Sequence, residues 1–307
     1  MKWRKLGRVW APDGRLRWAK AYALLPTVDV VSDEVLRVYF AALDEGKFGR
    51  IGFLDVDATS PTRVLTEPIQ PVLDLGDPGT FDDSGVNPSC LVRRDGTVGL
   101  YYMGWQRSCR VPYHLFSGLA ESSDGLGFVR VQPTPVLDRT PGEPFIRSTM
   151  SVVVEDAQLV AWYTSGSAWI EVSGTPYPTY AIRRAVSADG ICWLPDEVLA
   201  VDLANSGQDE FGLSRPWVIH DATLYRMWYS IRCRSQPYRL GYAESADGMS
   251  WERRDDEVGI ARSQPGTWDS EMICYPCVVD ARGQRYMFYN GNRHGSTGFG
   301  VAVLEED

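Results

Sequence analysis

The chain has 307 residues, 44% of them hydrophobic and 12% aromatic, with 31 Lys and Arg against 40 Asp and Glu. That is enough apolar material for a sizeable core, and the net charge of -9 argues against nucleic acid or an anionic membrane surface as a partner. The N-terminus MKWRKLGRVW lacks an apolar signal core, and no apolar run approaches the roughly 18 residues of a membrane span, so the expected compartment is the cytoplasm.

In chain order, Trp3–Trp10 alternates as one strand and residues 11–14 read as a turn. Tyr22–Val30, Val35–Ala42 and Arg50–Asp57 follow as strands, with a weaker one ending near Val72. From Asp82 the next unit gives SCLV, VGLYYMGW, a long loop and GLAES. The third gives MSVVVE, LVAWYTSG, a long loop to Tyr180 and IRRAVS. The fourth gives RPWVIH, LYRMWYS and RLGYAES; the fifth gives YPCVVD, RYMFYNGN and GFGVAVLE.

A repeat overlies this order. Residues 118–128 (GLAESSDGLGF), 183–193 (RRAVSADGICW) and 241–251 (GYAESADGMSW) share alternating small and apolar residues, Ser-x-Asp-Gly, and an aromatic three residues after the Gly. Alternation marks a strand and Asp-Gly a tight turn, because Gly accepts positive φ. A period of roughly 60 residues indicates stacked β units. The expected fold is all-β: a five-bladed β-propeller of four strands per blade, one domain over 1–307. The last unit has only three strands, so Trp3–Trp10 is expected to complete it and close the ring. No convincing helical period appears.

Cys274 and Cys277 form the only C-x-x-C. No second Cys or His pair stands at zinc spacing, so the pair reads as core thiols and no metal or other cofactor is expected. No G-x-S-x-G elbow, P-loop, HExxH or dinucleotide fingerprint is present.

The second strands VYFAA, LYYMGW, AWYTSG, RMWYSI and YMFYNGN, with the S-x-D-G-x-x-W turns, resemble the five-bladed propeller glycoside hydrolases. These are the clan of arabinanases, xylosidases, invertases and related sugar-phosphorolysing enzymes. The phrase from Trp268 to Gly300 is also similar to uncharacterised members associated with polysaccharide gene clusters. The resemblance implies a carbohydrate-active enzyme with an Asp from the first blade, an Asp from the second and a Glu from the third in a central funnel. Here the first-blade entry, RWAKAYALLP, carries Lys20 and no acid, and Arg147 stands where the third-blade acid is expected. Only Asp83 matches the pattern.

Position supplies the other candidates. Asp83 and Glu271 each stand five residues before an inner-strand Pro (Pro88, Pro276), and Glu210 six before Pro216. A glycosidase needs two carboxyls across the scissile bond, so Asp83, Glu210 and Glu271 are the acid/base candidates. His294, in the glycine-containing loop NGNRHGSTG, is a further one. Arg147, Arg215 and Asp269 at the strand entries, with Trp105, Arg107, His114, Arg232, Tyr275 and Arg293, are the substrate-binding candidates. Cations gathered on the loops of an acidic chain point to an anionic ligand: a uronic or sialic-type sugar, a sugar phosphate or a nucleotide sugar. The alternatives are a non-catalytic glycan or nucleotide-sugar binding propeller, and a lyase, isomerase or phosphorylase on the same scaffold.

Overall fold

The computed structural model describes residues 1–155, 158–204 and 208–305. Twenty strands run through them in chain order. After β1 (Trp3–Trp10), they fall into antiparallel groups. The first is β2 (Ala21–Val30), β3 (Val35–Leu43), β4 (Gly49–Asp57) and β5 (Ser60–Thr66). The second is β6 (Gly85–Arg94), β7 (Thr97–Arg107), β8 (Tyr113–Ser122) and β9 (Val129–Arg130). The third is β10 (Ile146–Glu155), β11 (Gln158–Val172), β12 (Thr175–Ser187) and β13 (Leu194–Val201). The fourth is β14 (Glu210–Asp221), β15 (Leu224–Cys233), β16 (Arg239–Ser245) and β17 (Glu252–Arg253). The last comprises β18 (Cys274–Ala281), β19 (Gln284–Asn290) and β20 (Phe299–Leu304), with β1 paired antiparallel on the free side of β20.

Short parallel pairings, such as Gly49 with Gly85 and Tyr180 with Gly212, join the first four groups into one sheet. The group containing β1 forms a separate sheet of four. The first strands β2, β6, β10, β14 and β18 pack side by side in that succession, and β18 packs against β2.

The repeated turns act as joints between groups. In each, the Ser hydroxyl caps the Gly amide (Ser122 with Gly125, Ser187 with Gly190, Ser245 with Gly248), and the Asp carboxylate accepts from the next turn amides. All three glycines have φ between +69° and +83°, which a side chain would strain. The freed Gly carbonyl then accepts from the second strand of the preceding group: Tyr39 Oη to Gly125, Tyr101 Oη to Gly190 and Trp162 Nε1 to Gly248, at 2.7–3.0 Å. These three donors are buried aromatics, so each joint combines apolar burial with a satisfied polar tip.

Three local expectations need correction. The weaker strand near Val72 is β5, which ends at Thr66; Val72 and Leu73 instead bridge back to Ile51. The long loop before Tyr180 is a hairpin: β11 and β12 pair out to Val172 and Thr175 around Ser173 and Gly174, both left-handed. Pro176 and Pro178 obscured it. They are tolerated because β13 pairs only with the Ile182–Val186 part of β12. The stretch NRHG, expected as loop, makes one helical turn, α1 (Asn292–Gly295), with Arg293 and His294 at positive φ inside it.

Cys274 and Cys277 are buried free thiols, as are Cys90 and Cys233, while Cys109 and Cys192 are exposed. Burial raises the Cys277 thiol to about 12. No helix among the described residues is long and apolar enough to cross a membrane.

Candidate functional site

The five first strands share one irregularity. Each loses register with its second strand at the same level: after Leu24, Pro88, Ser148, Ser214 and Cys274. A β-bulge there turns a side chain off the ladder. Leu25, Thr149, Arg215 and Tyr275 occupy four of these bulges with φ of +52°, +47°, +55° and +58°. Left-handed backbone at a non-glycine residue costs about 1–3 kcal/mol and persists only where the surroundings impose it. Here the preceding group imposes it. Asn290, Thr164 and Ser230, each on a second strand, accept from the amides of Leu25, Arg215 and Tyr275 at 2.7–3.2 Å.

All four bulge residues line one cavity of about 170 Å³, together with Asn87 of β6. Trp105, Tyr113, Tyr180 and Tyr238 supply aromatic walls, and Arg232 and His294 supply charge and an imidazole. Ser148, Thr164 and Ser214 add hydroxyls. Among the described residues, no carboxylate lines this cavity. A second cavity of about 330 Å³ adjoins it, sharing Leu24, Asn87, Trp105 and Tyr113 and adding Lys47, Ser84 and Arg107.

Arg215 is fully buried. Its guanidinium donates to the Ser89 carbonyl, to Thr27 Oγ1 at 2.8 Å and to the Pro26 carbonyl at 3.3 Å, while Nε has no partner. Burial pulls it down to about 10, so it remains a cation at neutral pH. Arg232 donates to Tyr180 Oη at 2.8 Å and lies over the Tyr177 ring at 4.2 Å. Among the described residues, no carboxylate pairs with either arginine. His294 Nδ1 stands 3.3 Å from Tyr275 Oη, and burial together with the Arg232 charge lowers the imidazole to about 4. It is neutral above that pH. Burial raises the Tyr275 phenol, which stays protonated.

The structure brings Trp105, Arg215, Arg232, Tyr275 and His294 together in the central cavity and puts Arg107 in the adjoining one. It does not bring the acids there. Asp83 is half-buried in its own loop, accepting from Gly79 N and Ser84 Oγ. Glu210 is buried beneath Arg239 and Arg253, which bind it at 2.9–3.2 Å. Glu271 is exposed, 3.9 Å from exposed Arg293. Arg147 turns from the cavity to pair with buried Glu143 at 3.1 Å. Asp269 pairs with Lys5, and half-buried His114 stacks between Phe116 and Phe145.

Sequence reasoning missed Leu25, Asn87 and Thr149 and did not single out Tyr180 and Tyr238. A signal existed for two of them. In four of the five first strands the residue before an internal proline (Leu25, Asn87, Arg215, Tyr275) lines the cavity. Counting acids at fixed distances from those prolines looked too far upstream.

No protein-family model matches the chain. It is 40% identical over 305 residues to "Uncharacterized protein Rv1502" of Mycobacterium tuberculosis, covering 99% of this chain and all of that protein. The chain belongs to the Rv1502 family. Among solved structures, a glycosyl hydrolase from Bacteroides ovatus is 15% identical over 99% of this chain and 93% of its own length, with a TM-score of 0.72. A thermostable family-43 glycoside hydrolase is 16% identical over 95% and 93%, with a TM-score of 0.70. A structure described under glycoside hydrolases of the GH130 family that target β-1,2 mannosidic linkages in Candida mannan is 14% identical over 99% and 93%, also at 0.70. At these identities the likeness is one of fold. This Rv1502 family member has the all-β fold of the β-propeller glycoside hydrolases.

Proposed function

We propose that the chain is a carbohydrate-active protein, a single five-bladed propeller over residues 1–307 completed by β1, whose central cavity takes an anionic sugar. The order of the first strands and the pairing of β1 with β20 support the architecture. One observation carries the ligand class: Arg215, a buried cation with no carboxylate partner among the described residues, lines the cavity beside Arg232. A desolvated charge costs several kcal/mol unless compensated, and a sugar carboxylate or phosphate bound at the partly exposed Arg232 brings a negative charge into the same cavity. Trp105 and Tyr113, on the boundary with the second cavity, suit stacking on sugar faces. Lys47 and Arg107 there suit a second unit of the ligand, whether a further acidic sugar or the diphosphate of a sugar nucleotide.

Hydrolysis by a carboxylate pair is the weaker reading. Asp83, Glu210 and Glu271 are each engaged or exposed outside the cavity, and the mechanism needs two carboxyls flanking one bond. The test is thermal unfolding with galacturonate and glucuronate against galactose and glucose. Uronates should raise the melting temperature in the wild type and lose that effect in Arg232→Gln. Equal stabilisation by the neutral sugars would reject the anionic site.

A further inference from the structure

Among the described residues the cavity lining offers an imidazole, a phenol and a guanidinium but no carboxylate, and that set suits elimination better than hydrolysis. We infer that His294, Tyr275 and Arg232 equip this site for β-elimination of a 4-O-linked uronate, an inference resting on the anionic-sugar reading. Breaking the C4–O bond of such a sugar without water requires three things. The carboxylate must be neutralised so that charge can build at C5, a base must take the C5 proton, and an acid must protonate the departing oxygen.

Each requirement has a group in place. Arg232 lines the same cavity as His294, without a carboxylate partner among the described residues, and lies over the rings of Tyr177 and Tyr238. His294 is presented on left-handed backbone (φ +62°, after Arg293 at +51°), with its ring set edge-to-face against Tyr238 at 5.2 Å. Its Nδ1 faces Tyr275 Oη at 3.3 Å. In the tautomer whose Nδ1–H donates to that oxygen, Nε2 carries the free lone pair and the phenol proton is free to point at the ligand. Tyr275 is held by its bulge, with its amide on Ser230 Oγ at 2.7 Å.

The step balances within these groups. Nε2 takes the C5 proton, the C5–H pair forms the C4=C5 double bond, and the C4–O bond breaks. The leaving oxygen takes the Tyr275 proton and departs as an alcohol. The imidazolium then passes its Nδ1 proton to the phenolate across the existing contact, and exchange with solvent restores the starting tautomer. No water, oxidant or second substrate is consumed.

The experiment uses the full chain with 4-linked oligogalacturonate, oligoglucuronate and oligomannuronate, each also tested for thermal stabilisation. The expected result, for a saccharide that stabilises the protein, is a product with the ultraviolet absorbance of an α,β-unsaturated uronate and fragment masses summing to the substrate with no added water. His294→Gln and Tyr275→Phe should each lower that rate by about 100-fold or more while keeping the stabilisation. A saccharide that stabilises the protein and yields either no product or fragments with one water added overturns the elimination. Absence of stabilisation by every uronate overturns the anionic-sugar reading itself.

Discussion

Lys5 Nζ lies 2.6 Å from Asp269 Oδ2, tying the first strand to the loop that precedes the last group, 264 residues away. Asp269 is buried and also accepts from Tyr289 Oη at 3.0 Å. Lys5→Met strands that carboxylate, and because Lys5 is partly exposed the expected loss is about 1–3 kcal/mol by urea unfolding. The pH dependence has a sign. Burial pushes the Asp269 carboxyl up, but the hydrogen bond and charge of Lys5, with the hydroxyls of Ser263 and Tyr289, together outweigh it and leave it below its ordinary 3.8. The stability it contributes is full above 3.8 and lost as pH falls through the lower folded value. Lys5→Met should flatten that part of the acid limb.

The turn joints separate backbone strain from packing. Gly190 and Gly283 both have left-handed φ, but a Cβ on Gly190 would meet Tyr101 Oη at 2.6 Å, whereas one on Gly283 meets nothing within 4 Å. Gly190→Ala should therefore cost about 1–3 kcal/mol more than Gly283→Ala in the same unfolding measurement.

His294 provides a direct reading of cavity electrostatics. Nuclear magnetic resonance of the imidazole should place its titration near pH 4 in the wild type. Arg232→Gln removes a positive charge from the same cavity, one that lowers the imidazole alongside burial, and should move the midpoint up. An unchanged midpoint would mean that Arg232 does not act on the ring.

Glu210 and Glu271 should behave as structural and surface acids. Glu210→Gln weakens two arginine contacts to a buried carboxylate and should cost about 2–4 kcal/mol while leaving uronate stabilisation in place. Glu271→Gln, at an exposed pair, should change stability by under about 0.5 kcal/mol. Loss of ligand response in the folded Glu210→Gln protein would return that residue to the site.

Trp105 lies at the boundary of the two cavities, with its ring 4.7 Å from Tyr113. Trp105→Ala should weaken an acidic oligosaccharide about tenfold, near 1.4 kcal/mol, with a smaller effect on a single uronate. Calorimetry on both ligands checks the ratio.

The strands were legible because period-two alternation and Asp-Gly turns act over a few residues. The hairpin tip at Ser173–Gly174 was not, because two prolines in β12 broke the local pattern at an edge that needs no donor. Among the candidates, Arg215 was legible as a strand-entry cation, and Arg232 and His294 as a loop cation and a loop histidine. Asp83 rested on the family resemblance and Glu210 and Glu271 on spacing from a proline, which fixes height along a strand and not the direction of a side chain.

The amino-acid order therefore determined what neighbours in sequence determine: an all-β fold, its strand order and the repeated turn. The tertiary structure decided where each charge lies. Glu210 meets Arg253 from 43 residues away, and Arg215 reaches Ser89 and Thr27 on other groups. Whether an acid is neutralised or an arginine left without a counter-ion depends on such distant partners. The bulges that turn Arg215 and Tyr275 into one cavity are likewise held by side chains of the preceding group.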